Sequence, residues 1–164
     1  MPCVVTPRFG PVEYPENAAI DFPAGLPAFE GHKQFLALER PDAAPILFLQ
    51  SLTDPELCLH AVPARLIDPG YQLHLLPEDL QHLGLHPAAR PQIEGEIVCL
   101  AILHIPADAP PTANLLAPVV IRRDARLGVQ AVQVETGYTH DHPLFPASHR
   151  GPATDAGAKE PPCS

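Results

Sequence analysis

Twenty-three prolines in 164 residues set the terms on which this chain can fold. Each proline removes a backbone N–H, clashes inside a helix and pushes the preceding residue toward extended backbone. Long helices are therefore excluded, and the chain is cut into short elements that favour strands and turns. The hydrophobic share, 46%, is ordinary for a globular protein, so the short elements still have a core to close around. A single domain is expected at this length, burying roughly 70% of the surface that the unfolded chain would expose.

The apolar patterning locates the elements. Residues 19–22 read as a short strand ended by Pro23. Residues 24–31 form a tight connector in which Leu26 and Phe29, three apart, suggest a single helical or 3₁₀ turn that tucks both side chains inward. Residues 34–39, 45–51 and 57–62 are strand candidates, and Asp54-Pro55 between the last two is turn chemistry. A further short strand is expected around residues 71–75. One helix starts at Pro77-Glu78-Asp79, with proline at the first position, carboxylates at the positive end of the dipole and Gly84 as a left-handed stop. Residues 92–105 form the strongest strand, apolar on both faces in its middle, which requires burial on both sides. Residues 118–122 and 129–135 then read as a hairpin, with Gly128 placed where a positive φ is needed. No element is predicted in the proline-punctuated first residues. From residue 147 onward the sequence loses periodicity. Residues 1–146 are thus expected to form the folded β domain, and residues 147–164 a disordered tail rich in Pro, Ala and Gly. The fold class expected is mostly β: a small antiparallel β-barrel or sandwich with one short helix.

Charge narrows the function. The formal net charge is −9, and the tail contributes nothing, since Arg150 and Lys159 balance Asp155 and Glu160. Such a body argues against direct contact with nucleic acid or an anionic membrane. The longest apolar run is far too short to span a bilayer. The first eight residues lack the pattern of a signal peptide, so cytoplasmic residence is the expectation.

The search for chemistry returns little. Cys3, Cys58, Cys99 and Cys163 show no C-x-x-C spacing, and Cys58 and Cys99 fall in apolar runs where a thiol packs as a small hydrophobe. His140, His142 and His149 sit where order is expected to fail, while His60, His74 and His104 occupy positions expected to face solvent. No nucleophile elbow, P-loop or dinucleotide fingerprint is present. Glu94 and Glu96 are paired carboxylates expected on one strand face, with solvation as the simplest reading. Asn114 sits in a distinctive segment, Thr112 to Pro118, where it either holds a structural corner or binds a partner. No catalytic residue, cofactor or metal site is expected.

Taken in order, these pieces resemble the flagellar assembly factor FliW family. The residues that carry the resemblance are Ile20-x-Phe22-Pro23-x-Gly25-Leu26-Pro27-x-Phe29-Glu30, Phe48-Leu49-Gln50-Ser51 and Asp54-Pro55-Glu56-Leu57. Tyr71, Leu83-Gly84-Leu85, Thr112-Ala113-Asn114-Leu115-x-Ala117-Pro118-Val119-Val120-Ile121, Gly128-x-Gln130 and Tyr138 complete it. The chain departs from the family at Arg122, where Asn is frequent, at Leu59, where an aromatic is common, and in its C-terminal extension. The resemblance implies a small, mostly antiparallel β-barrel that is not an enzyme. It also implies two protein partners: newly made flagellin and, alternatively, the translational regulator CsrA, whose repression of flagellin synthesis is relieved on capture. Gln50, Asp54, Glu56, Glu94, Glu96 and Asn114 are the candidate partner-binding residues, and Gly25, Leu26, Phe29, Pro118 and Gly128 the structural motif. The alternative is a β-barrel that binds a small ligand or metal through its histidines, or an enzyme built on such a site.

Overall fold

The apolar run read as the strongest strand is a wall shared by two cores. The structure, a computed structural model, describes residues 2–26, 31, 33–134 and 136–144. Strand β7 spans Ile97–His104, and its side chains alternate. Leu100, with Val98 and Ile102, joins a cluster containing Ile20, Phe22, Leu26, Phe35, Leu49, Ala61, Val119 and Ile121. Cys99 and Ala101 point the other way, into a cluster with Ala64, Tyr71, Ala113 and Leu115. Apolarity on both faces follows directly.

The first cluster is the interior of a barrel. Among the described residues, β3 (Ile20–Asp21), β4 (Gln34–Glu39), β5 (Leu47–Ser51), β6 (Cys58–Pro63), β7, β8 (Thr112–Arg122) and β9 (Leu127–Gln130) pair in sequence. The β8–β9 and β3–β9 pairings close these seven strands into a ring. All contacts are antiparallel except β3–β9, where Asp21 sits opposite Leu127 in parallel. The β3 link is short, pairing with Gln34 and Phe35 of β4 and with Leu127 of β9. A short β10 (His142–Pro143) adds outside β8.

The second cluster lies under the crossover from β6 to β7. That crossover carries α1 (Ala64–Ile67) and α2 (Pro77–His82), so the described residues hold two short α-helices where one was expected. The helix at Pro77 forms as its sequence predicts: the Asp79 carboxylate accepts the Leu76 N–H at 3.0 Å, and Gly84 follows at φ +72°. Residues 71–75 are not a strand. Side chains occupy the positions where a ladder partner would be, as described below.

Three further expectations are corrected. The strand at 92–105 starts only at Ile97, because residues 92–96 form a turn with Glu94 at φ +66°. Glu94 and Glu96 therefore share no strand face. In the β8–β9 hairpin the positive φ belongs to Arg126 (+55°), not to Gly128. Glycine is required at 128 for space: a Cβ there would lie 2.5 Å from Cε2 of Phe22, so the ring fills the barrel interior only beside a bare backbone. The proline-punctuated start is also ordered, as a hairpin of β1 (Cys3–Thr6) and β2 (Gly10–Glu13). It leans on the barrel where Phe9 meets Phe48 edge-on at 5.3 Å and Arg8 covers the Phe48 ring at 5.5 Å. Leu26 is buried as expected, whereas Phe29 and the tail from residue 147 lie outside the described residues.

Candidate functional site

The candidate residues fall into three places, and the fold does not bring them together. Gln50 lies near the end of β5 on the face opposite Leu49 and is fully buried, so it offers no surface to a partner. Its Nε2 donates to the carbonyls of Ser51 (3.1 Å), Pro55 (2.9 Å) and Leu57 (3.2 Å), bracing the β5–β6 turn. That turn presents Asp54 and Glu56. Asp54 Oδ1 accepts the Glu56 N–H at 3.0 Å, the local bond that turn chemistry predicts, and leaves the Glu56 carboxylate exposed.

Glu94 and Glu96 lie at the other end of the barrel. The register places the β5–β6 turn beside the end of β7 and the start of β8, since Gln50 faces Cys58, Ala61 faces Ile102 and His104 faces Thr112. The 92–96 turn instead adjoins the β8–β9 hairpin, where Ile97 faces Arg122 and the Glu96 carbonyl accepts the Arg123 N–H at 3.1 Å. Both glutamates are exposed. Glu96 Oε1 also accepts the Gln92 N–H at 2.9 Å, and backbone N–H groups of Gln92 and of Glu96 itself hold its carboxyl below the usual range. Acidic and basic groups thus share this end, because Arg122, Arg123 and Arg126 form the adjacent hairpin tip.

Asn114 occupies the third place. Between Leu100 and Ile102 the β7–β8 register slips, from Val119 to Asn114, and residues 115–118 bulge out of the ladder. Asn114 Oδ1 accepts the N–H groups of Leu116 (3.1 Å) and Ala117 (2.9 Å) and so closes the bulge, with Pro118 buried beyond it. The carboxamide oxygen serves the backbone here, which is the structural corner that the sequence left as one of two readings.

The remaining titratable groups report burial. Burial pushes the Cys99 thiol from 9.0 up to about 12 and raises the Tyr71 hydroxyl well above its ordinary value. The Cys58 thiol is raised by burial against the opposing charge of Arg8, while His60 is lowered by burial and then by Arg8. Among the described residues no three His, Cys, Asp or Glu side chains stand close enough to hold a metal ion.

Two surface features escaped the sequence reading. Leu76, Val132 and Val134 are exposed apolar side chains lining one cleft with Ala24 and Gly25. A groove of about 620 Å³ runs between residues 72–75 and 89–93, with Arg65 and Arg90 among its walls. Neither has a local signature, because each is assembled from segments distant in sequence.

Known proteins match nearly the whole chain. The family model described as FliW protein matches residues 3–144. A flagellar assembly factor FliW of Syntrophomonas wolfei subsp. wolfei is 34% identical over 158 residues, covering 96% of this chain and 97% of its relative. One from Heliobacterium modesticaldum is 35% identical over 157 residues, covering 95% and 97%. A crystal structure of the flagellar assembly factor FliW superposes with a TM-score of 0.77 at 31% identity, covering 90% of this chain and 99% of the other. These relatives are described as assembly factors, not as enzymes.

Proposed function

This chain belongs to the FliW family of flagellar assembly factors, and from that premise we propose that it binds newly made flagellin and, alternatively, the translational regulator CsrA, in the cytoplasm. When flagellin is exported, the freed factor captures the regulator and flagellin synthesis resumes. The observation that carries this reading is the match to assembly factors along almost the full length of both chains. A partner switch needs only mutually exclusive binding, which suits a closed barrel whose interior is filled with apolar side chains.

The surface chemistry supports the same reading. An RNA-binding regulator presents basic groups, and this chain carries −9. Each exposed ion pair contributes only about 0.2–1 kcal/mol, whereas nanomolar affinity needs roughly −12 kcal/mol. An apolar centre must supply the remainder, and Leu76, Val132 and Val134 offer one. Glu56 at one end of the barrel and Glu94 and Glu96 at the other act on encounter rate, where steering raises association by about 10- to 1000-fold. Gln50 and Asn114 contribute by holding the β5–β6 turn and the β8 bulge in shape. Direct nucleic-acid or membrane contact plays no part.

Stopped-flow mixing with purified regulator tests the proposal. Rising salt should slow association more than it speeds dissociation, and Glu94→Lys with Glu96→Lys should reproduce that slowing at low salt. An association rate insensitive to salt would sink the electrostatic account. RNA retained on a filter by this protein alone would do the same, and no complex with either partner would refute the switch itself.

A further inference from the structure

The segment after Tyr71 has one backbone side occupied and the other open. Its burial alternates, with Gln72 and His74 exposed and Leu73 and Leu75 half-buried, as extended chain requires, and Leu76 has extended dihedrals (φ −76°, ψ 159°). In such chain, the N–H and C=O groups of successive residues point to opposite sides. On one side, Gln72 N–H donates to the Tyr138 hydroxyl at 2.8 Å, and Gln133 takes both groups of His74. On the other side lie the groups of Leu73 and Leu75, which have no hydrogen-bond partner among the described residues. Both residues line the 620 Å³ groove.

We infer that this groove receives an extended acidic peptide as an added strand. Backbone donors and acceptors two residues apart, roughly 6.6 Å along the chain, ask for the same spacing in the occupant, and the main chain of an extended peptide supplies it. Charge sets the sign of that peptide. Arg65 and Arg90 both line the groove, both are exposed, and neither has an ion-pair partner among the described residues. By contrast, Arg40 and Arg122 are each paired with an aspartate two positions on. The lining residues include no carboxylate, on a chain of net charge −9. A local basic groove on an acidic body selects glutamate or aspartate side chains and repels lysine. The inference goes beyond the partner switch and requires neither partner, so its failure would leave that proposal standing.

The probe is a capped peptide of about eight residues alternating valine and glutamate, long enough to span the groove at roughly 3.3 Å per residue. Fluorescence anisotropy should show saturable binding. Amide exchange followed by NMR should show the Leu73 and Leu75 amides slowing on peptide addition, while the His74 amide, already bonded, does not change. Of two peptides N-methylated on alternate edges, one should lose binding and the other keep it, a result independent of any effect on folding. The lysine counterpart should bind more weakly, and Arg65→Gln and Arg90→Gln should each weaken the acidic peptide by about 1.4- to 5-fold. No saturable binding, binding that leaves Leu73 and Leu75 unprotected, equal loss with both methylated peptides, or equal affinity for the lysine peptide would overturn the inference.

Discussion

The barrel wall and the crossover both bury apolar side chains but hold their backbones by different chemistry. Strands β7 and β8 face each other through a ladder from Ile97–Arg122 to His104–Thr112, interrupted only at the bulge. Those bonds belong to the main chain, so any residue except proline can make them in full. Residues 64–96 contain no ladder strand among those described, and distant side chains anchor them instead. The Tyr71 hydroxyl donates to the Leu115 carbonyl at 2.6 Å, and its ring stacks on Tyr138 at 4.3 Å. Gln133 holds His74, and Arg122 Nη1 donates to the carbonyls of Leu83 and Gly84 at 3.0 and 3.1 Å. Truncating an apolar wall residue such as Leu100 therefore changes packing alone. In the crossover, truncating an anchoring side chain also leaves backbone groups unpaired.

The sharpest way to break this contrast is Tyr71→Ala. Tyr71 is fully buried, and its loss should cost roughly 3–5 kcal/mol, the range for a large aromatic core truncation. Leu100→Ala in the wall should cost about 2–5 kcal/mol. Urea unfolding would rank them, but native-state amide exchange separates them. Tyr71→Ala should free crossover amides such as Gln72 while β7 stays protected, whereas Leu100→Ala should loosen the ring as a whole. Identical exchange patterns would mean that the two regions form one cooperative unit.

A smaller effect is expected inside the barrel from Gly128→Ala, about 1–3 kcal/mol by overpacking against Phe22. Combining it with Phe22→Leu should cost less than the sum of the two changes, because the smaller side chain makes room for the methyl group. Strict additivity would show that the ring and the glycine do not oppose each other. Gln133→Leu should cost a similar or lesser amount, about 1–3 kcal/mol for unpaired groups at His74. Its signature is local: faster exchange of the His74 amide with Val120 unchanged.

The seam between wall and crossover should also be sensitive to alkali, with no effect at neutral pH. Cys99 and Tyr71 share one cluster, and burial raises both. A raised pKa means that the folded state retains its proton more firmly, so this stability is fully present below pH 9.0 for Cys99. It is lost as pH rises toward about 12. Cys99→Ala should flatten the fall in stability across that window without abolishing it, since Tyr71 remains. An unchanged pH profile would remove Cys99 from the seam.

Most strands were legible because their cause is local. The alternation in residues 34–39 and the turn chemistry at Asp54-Pro55 require no knowledge of the partner strand, and β4 and the β5–β6 turn form where they predict. The helix at Pro77 was readable for the same reason. Residues 71–75 misled because their alternation is real, yet Gln133 and Tyr138 stand where a ladder partner would. The bracing by Gln50 was not legible because a polar side chain near the end of a strand gives no sign that three carbonyls will gather around it.

The sequence by itself determined the fold class, the preference for short elements and the acidic character, because proline geometry, side-chain period and formal charge are properties of residues. It also carried the family, because motif order survives without coordinates. Only the tertiary structure decided that Glu94 and Glu96 flank a turn beside a basic hairpin tip, and that Gly128 serves Phe22 and not its own φ. It alone placed Arg65 and Arg90 in one groove with an open backbone edge. Each of these depends on closing the ring and laying the crossover over it, and closure juxtaposes residues dozens of positions apart whose pairing no local pattern encodes.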